Sequence, residues 1–111
     1  MRILICDDDS SITSVLSQLI TTYFGKKKTK CPEIVSFDNG ESLLSDNGDK
    51  DIVFLDVEMP KLSGLEVAAH IREIPDRLAK IVFVSNFPEY MQDSFNVEAF
   101  HYFPKPFLFL D

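Results

Sequence analysis

The chain has 111 residues, which sets the expectation of one domain around one core. Eleven basic against eighteen acidic side chains leave a net charge of −7. That excludes a free-standing nucleic-acid binder driven by charge, because such binding needs a Lys/Arg surface to neutralise phosphates. An apolar fraction of 45% with 26% charged residues is too apolar for disorder.

The first apolar segment, residues 3–6, is short and continuous, as in a strand buried on both faces. From Ile12 the period changes. Ile12, Val15, Leu16, Leu19, Ile20 and Tyr23 form one helical stripe, with Ser10, Ser11 or the preceding Asp9 placed to cap it and Gly25 to stop it. Residues 33–37 read as a second strand. Asn39-Gly40 turns the chain into a short helix over 41–45, which Asn47-Gly48 breaks. A third strand covers 52–55. A helix follows over 63–74, with Gly64, Val67, Ala68, Ile71 and Ile74 on one side and Pro75 closing it. Residues 81–84 form a fourth buried strand, 88–97 a fourth helix and 99–103 a fifth strand. Strand and helix alternate throughout, which predicts an α/β fold with a parallel sheet, right-handed crossovers and helices on both faces.

In such open sheets function gathers beyond the carboxyl ends of the strands. Strand one ends in Asp7, Asp8 and Asp9, strand three in Asp56 and strand four in Ser85; Lys105-Pro106 follows strand five. Carboxylates gathered on one rim repel and raise one another's pKa unless a cation joins them. A hard, oxygen-rich pocket of this kind suits Mg²⁺, which takes few protein ligands and keeps several waters. Lys105 adds a fixed positive charge. A metal and an ammonium facing one carboxylate are the parts needed to hold a transferring phosphoryl group, and the carboxylate itself can be the nucleophile. Taken singly, an acid at a strand end often only caps the next helix, and a lone Ser or Lys there is usually solvated. The combination of acids after strands one and three, a hydroxyl after four and Lys-Pro after five is what gives the pattern its weight.

The segments RILICDDDSS, DIVFLDVEMPKLSGLEVAAHIR, IVFVSN and AFHYFPKPF, and above all Asp56, Met59, Pro60 and Gly64 in the spacing DxxMPxxxG, resemble the receiver domain of two-component response regulators along nearly the whole chain. The stretch NFPEYMQDSFNVEAFHYFPKP is similar to receivers of the LytTR-type (LytR/AgrA-like) subfamily, which are joined to a DNA-binding domain. The resemblance implies a flavodoxin-like (CheY-like) doubly wound sheet of five parallel strands in the order 2-1-3-4-5. It implies that Asp56 accepts the phosphoryl group. Asp8 would bind Mg²⁺ directly and Asp7 through water, with Asp56 and the backbone carbonyl of Glu58 completing the set; Mn²⁺ could take its place. Ser85 and Lys105 would hold the phosphoryl oxygens, and Tyr102 would be the aromatic switch that turns inward when Ser85 moves. The Lys105-Pro106 bond is expected to be cis. The implied partners are a sensor histidine kinase, a second copy through the helix 4–strand 5 region, and DNA only through an output domain outside residues 1–111. Enzymatic activity is expected to be at most weak self-phosphorylation and autodephosphorylation.

The chain departs from the family in two places. Asn86 follows Ser85 where many receivers carry a small residue, which bears on how fast phosphate is lost. Only six residues follow Lys105, too few for the family's fifth helix. A domain truncated there should expose apolar surface on one sheet face, and the expectation is a piece cut from a longer regulator.

Other features carry less. Lys26, Lys27, Lys28 and Lys30 read as a solvated turn. His70 and His101 have no metal-spaced partner. Phe95, Val97 and Phe100 read as core. Cys6 and Cys31 read as two buried, reduced thiols in a cytoplasmic protein, with no secretory start and no apolar run of the roughly 20 residues a bilayer requires.

Three alternatives stand beside the receiver. A haloacid-dehalogenase-like small phosphatase would use Asp7 and Asp9 as its D-x-D, but it leaves Asp56 and the MP…G segment unexplained. A flavodoxin-like cofactor binder would need a phosphate-cradling loop where three aspartates stand. A receiver that is never phosphorylated would act as a docking platform.

Overall fold

The computed structural model describes residues 1–74 and 78–105. Its strands are β1 (Arg2–Cys6), β2 (Glu33–Phe37), β3 (Ile52–Asp56), β4 (Lys80–Ser85) and β5 (His101–Pro104). They form one sheet in the order β2-β1-β3-β4-β5, every pairing parallel. The α/β fold and parallel direction are those the sequence pattern predicts, and the strand order is the one the resemblance implies.

The apolar runs work because their alternate residues serve opposite faces. Leu4 and Cys6, Val53 and Leu55, and Ile81 and Phe83 point to one side. There they meet Leu43 of α2 (Gly40–Ser45), Val67, Ala68 and Ile71 of α3 (Gly64–Arg72), and Tyr102. Ile5 and Val84 point to the other, where they meet Leu16 of α1 (Ser10–Lys26), with Ile12, Ile20, Ile34 and Phe54 around them. A strand flanked on both faces needs this continuous apolar character.

The helix ends differ in detail from expectation. Asp9, not Ser10 or Ser11, caps α1, because its carboxylate accepts from the Ser11 amide at 2.9 Å. Gly25 does not stop that helix, which runs to Lys26. The left-handed residue beyond it is Lys28, at φ 55°, and the Thr29 amide reaches back to the Phe24 carbonyl. Asn39 caps α2 by accepting from the Ser42 amide, and the helix starts at Gly40, one residue earlier than expected. Ser63 lies outside α3 as its N-cap and shares a capping box with Glu66. Pro75 falls outside the described residues.

The expected single helix over 88–97 is instead three short pieces. A 3₁₀ turn (Pro88–Tyr90) leads into α4 (Met91–Ser94), and a second 3₁₀ turn (Phe95–Val97) follows. Phe95 and Phe100 are 69% and 64% exposed, so they do not fill the core as the sequence pattern implied. Glu98 is left-handed at φ 54°, and this turn delays β5 to His101, although the Phe100 amide already bonds the Ile81 carbonyl. The second sheet face carries an open apolar groove of about 540 Å³ lined by residues including Leu16, Leu19, Tyr23, Phe54 and Phe103. Residues 106–111, including Pro106 and the point where a fifth helix would begin, lie outside the described residues.

Candidate functional site

A parallel sheet delivers the carboxyl ends of its central strands to one rim, and that is where the predicted residues converge. Asp7 directly follows β1 and is 2% exposed; Asp56 ends β3 and is 7% exposed; Ser85 ends β4 and is 1% exposed. Lys105 is brought in from β5 by its own amide, which donates to the Ser85 carbonyl at 2.8 Å. Its ammonium lies 2.8 Å from Asp7 Oδ2 and 3.5 Å from Asp56 Oδ1. One cation thus links the two buried carboxylates.

Burial, then the charge of Asp7, pushes the Asp56 carboxyl up to about 7, with Lys105 acting in the opposite direction. Burial disfavours the Lys105 ammonium. Its hydrogen bond to Asp7 and the charges of Asp56 and Asp7 outweigh that and hold its pKa above the usual value. Burial and the same acids push the neighbouring Cys6 thiol up to about 12, which makes it an inert core group. Its hydrogen contact is with Met59 sulfur, 3.6 Å away. Cys6 and Cys31 are both free thiols, and Cys31 is only half-buried.

Asp7, Asp8 and Asp56 each offer a carboxylate oxygen, and these atoms lie within 4.8 Å of one another. Three hard oxygen donors around one point fit a small divalent cation such as Mg²⁺. Asp8 is the solvent-facing member. Glu58 stands two residues past Asp56 with its side chain exposed; its carboxylate accepts from the Tyr90 hydroxyl at 3.3 Å.

The segment after Asp56 is fixed by close backbone packing. The Gly64 amide donates to the Val57 carbonyl at 2.7 Å. A Cβ on Gly64 would stand 2.0 Å from the Asp56 carbonyl oxygen. The glycine of DxxMPxxxG is therefore required by the approach of α3 to the backbone of Asp56 itself. Lys61, in the same loop, is left-handed at φ 67°.

Ser85 Oγ accepts from the Phe87 amide at 3.0 Å, and the Phe87 carbonyl in turn accepts from the Tyr102 hydroxyl. Tyr102 is 8% exposed, its ring 6.0 Å from that of Phe83. The Tyr102 ring points inward in this structure, its hydroxyl seated on the Phe87 carbonyl. Reasoning from the sequence missed Phe87 and Tyr90, whose roles run through a backbone carbonyl and an exposed hydroxyl. It also left open the part of Asp9, whose amide donates to Asp7 Oδ1 at 2.9 Å. No periodicity marks such residues.

The four basic-loop lysines, His70 and His101 are exposed, away from this rim. Among the described residues no helix is long and apolar enough to cross a membrane.

The sequence matches the response regulator receiver domain over residues 3–109. The chain belongs to this family. Of solved structures, the receiver is similar to response regulator protein TrrA of Thermotoga maritima, solved in complex with Mg²⁺-BeF. The two are 35% identical, with a TM-score of 0.80 over 97% of this chain and 89% of that one. It is also similar to the response regulatory domain of protein MrkE from Klebsiella pneumoniae, at 30% identity and a TM-score of 0.83 over 96% of this chain and 84% of that one. Sensory transduction protein LytT of Oceanobacillus iheyensis is 36% identical over 69% of the receiver. The positive alginate biosynthesis regulatory protein of Pseudomonas aeruginosa is 34% identical over 96%. This likeness is consistent with a receiver of the LytTR type. The alignments take in 31% and 42% of those two regulators, so the receiver spans less than half of the curated relatives it matches.

Proposed function

We propose that this receiver accepts a phosphoryl group on Asp56 from a sensor histidine kinase and thereby changes the surface formed by α4 and β5. The observation that carries the reading is the Lys105 ammonium set between Asp7 and Asp56, beside three carboxylates able to share one cation. Asp7 is committed on both oxygens, to Lys105 and to the Asp9 amide, so it serves as a holder and Asp56 is left as the nucleophile. This favours the receiver chemistry over a phosphatase built on Asp7.

In the transfer, an Asp56 carboxylate oxygen forms a bond to phosphorus while the bond from phosphorus to the donor's imidazole nitrogen breaks. The imidazole keeps that electron pair and takes a proton from water. Lys105 pairs with the phosphoryl oxygens, and the Ser85 hydroxyl donates to them once it leaves the Phe87 amide. Asp7, Asp8, Asp56 and the Glu58 carbonyl would hold Mg²⁺, or Mn²⁺ in its place, which when bound neutralises charge on those oxygens. In autodephosphorylation a water oxygen bonds to phosphorus while the bond from phosphorus to the Asp56 oxygen breaks, which releases inorganic phosphate, carrying the water's proton, and restores the Asp56 carboxylate; Asn86 is the residue at which its rate would be tuned.

The phosphoryl group adds roughly −1.5 to −2 charge at the rim. Drawing Ser85 toward it breaks the bond that holds Phe87, and so alters the seat of the Tyr102 hydroxyl. The affected surface carries Met91 and Phe95, large exposed apolar side chains beside a pocket of about 190 Å³ over Tyr102. A second copy of the receiver docking there, and a C-terminal LytTR-type DNA-binding output in a cytoplasmic transcription regulator, complete the proposal.

Intact mass after incubation with Mg²⁺ and acetyl phosphate is the test. One phosphoryl group should appear on the parent and be absent from Asp56→Asn. A gain that survives in Asp56→Asn but disappears in Asp7→Asn would replace the receiver mechanism with the phosphatase one. No gain in the folded parent would leave a docking platform.

A further inference from the structure

Arg72 is the last residue of α3, and its side chain is not part of the acidic rim. Its guanidinium makes three hydrogen bonds, all to backbone carbonyls: Nη1 to Ala79 at 2.7 Å, Nε to Val97 at 2.8 Å and Nη2 to Glu98 at 2.9 Å. The planar fork of five donors suits this role, and a lysine could not reproduce it. Charged donors make these bonds roughly twice as strong as neutral ones. The last two acceptors belong to the turn in which Glu98 is left-handed, a conformation an L-residue holds only at a cost when its surroundings impose it.

The other end of the same segment is held quite differently. Phe87 is tied to Ser85 Oγ and to the Tyr102 hydroxyl, and Tyr90 to the exposed Glu58 carboxylate. These bonds depend on side chains next to Asp56 and can exchange partners when a phosphoryl group arrives. The Arg72 bonds do not involve the rim. The body that carries them is α3, whose first residue is packed on the Asp56 carbonyl.

We infer that Arg72 is a fixed pivot: it pins the far end of the segment 87–98 to α3, so that the segment swings from its Phe87 end and the change stops at Val97. The inference concerns a positioning residue; Arg72 touches neither the acceptor nor its ligands. Only its response to a phosphoryl mimic rests on the proposed function; the pin itself does not.

Amide hydrogen exchange of the whole chain tests it, first without metal or phosphodonor. Arg72→Lys should speed exchange at the amides of Glu98, Ala99 and Phe100 by tenfold or more and leave β1 unchanged. Parent-like exchange at those amides would overturn the pin. Tyr102→Phe, which frees the other end, should speed exchange at Phe87 and Tyr90 and spare residues 98–100; equal acceleration at both ends would also overturn it. With Mg²⁺ and beryllofluoride, changes in the parent should cover 87–94 and stop before 98, and in Arg72→Lys they should run through Phe100. Changes reaching 98–100 in the parent would refute the pivot. A parent whose exchange does not respond to beryllofluoride would count against phosphorylation at Asp56, while the metal-free arm still decides the pin.

Discussion

Gly64→Ala asks whether α3 is seated on the backbone of Asp56 as closely as the geometry states. Gly64 does not need a glycine's backbone freedom, since no glycine among the described residues has a positive φ. On helix propensity alone, alanine at the start of α3 should therefore stabilise the protein, by up to ~1 kcal/mol. The contact decides the opposite sign. The new Cβ would lie 2.0 Å from the Asp56 carbonyl oxygen, 2.9 Å from its carbonyl carbon and 3.1 Å from Val57 Cα. The first distance is about 1.4 Å short of ordinary contact, and every atom met is backbone, which cannot rotate aside. Overpacking of this kind costs about 1–3 kcal/mol, and a rigid neighbour places it near the upper end. The net expectation is a loss of about 2 kcal/mol, or a fall in Tm of roughly 8 °C for a domain of this size. If α3 moves instead, Asp56 shifts relative to Lys105, and misplacement by about 1 Å can slow chemistry by ~100-fold. Urea and thermal unfolding followed by circular dichroism, with acetyl phosphate labelling rates read by intact mass, measure both effects. A Gly64→Ala protein as stable as the parent and labelled at the parent's rate would refute the close packing and the reason given for the glycine.

Two further outcomes follow from the site and the sheet base. Mg²⁺ at about 100 times its Kd should raise stability by ~2.7 kcal/mol in the parent, and Asp8→Asn should remove most of that gain while leaving the metal-free Tm within a few degrees; a full Mg²⁺ response in Asp8→Asn would take Asp8 out of the ligand set. At the opposite end of the sheet, the hydrogen bond from Arg2, at 2.8 Å, holds the Asp46 carboxyl below the usual range. A lowered folded pKa means the unfolded chain binds more protons, so this contribution is present above about pH 4 and lost as pH falls through the folded value. Arg2→Met should therefore be less stable than the parent at pH 7, with the gap in urea midpoints closing in acid; a gap that stays constant to low pH would show that the loss came from packing.

The sheet could be read from the sequence because β1, β3 and β4 are buried on both faces, and continuous runs such as Ile3 to Cys6 leave little else to be. The rim was legible for a related reason: in a parallel sheet the residue after each run has its position set by topology, so Asp7, Asp56, Ser85 and Lys105 could be brought together before any distance was known. What failed were places where local geometry overrides composition. Gly25 looked like a helix stop, but a last turn closed by the Thr29 amide let Lys28 take the left-handed residue instead. Phe95 and Phe100 looked like core, yet they sit on a segment broken by two 3₁₀ turns, where no single stripe faces inward. Of the caps the sequence offers α1, Asp9 serves and the serines do not, because a carboxylate there can serve the Ser11 amide and hydroxyl together. Tyr102 is inward because of a carbonyl at Phe87, and a backbone acceptor leaves no mark in the sequence.

The two sides of the sheet are unequal in depth. Among the described residues one gathers fourteen buried residues from Leu4 to Tyr102 and the other three, with Thr13 and Leu16 the buried residues of α1. Under random mutagenesis the protein should behave as two materials. Substitutions at Leu43, Val67, Ile71 or Phe83 open voids in tight packing and are rejected. On α1 it is the exposed face of Ser14, Gln18, Thr21 and Thr22 that can drift. Asp56 and α3 stand on the strict side, so the exposed Ser and Thr face of α1 is where the receiver can change what it touches without disturbing the packing beneath Asp56.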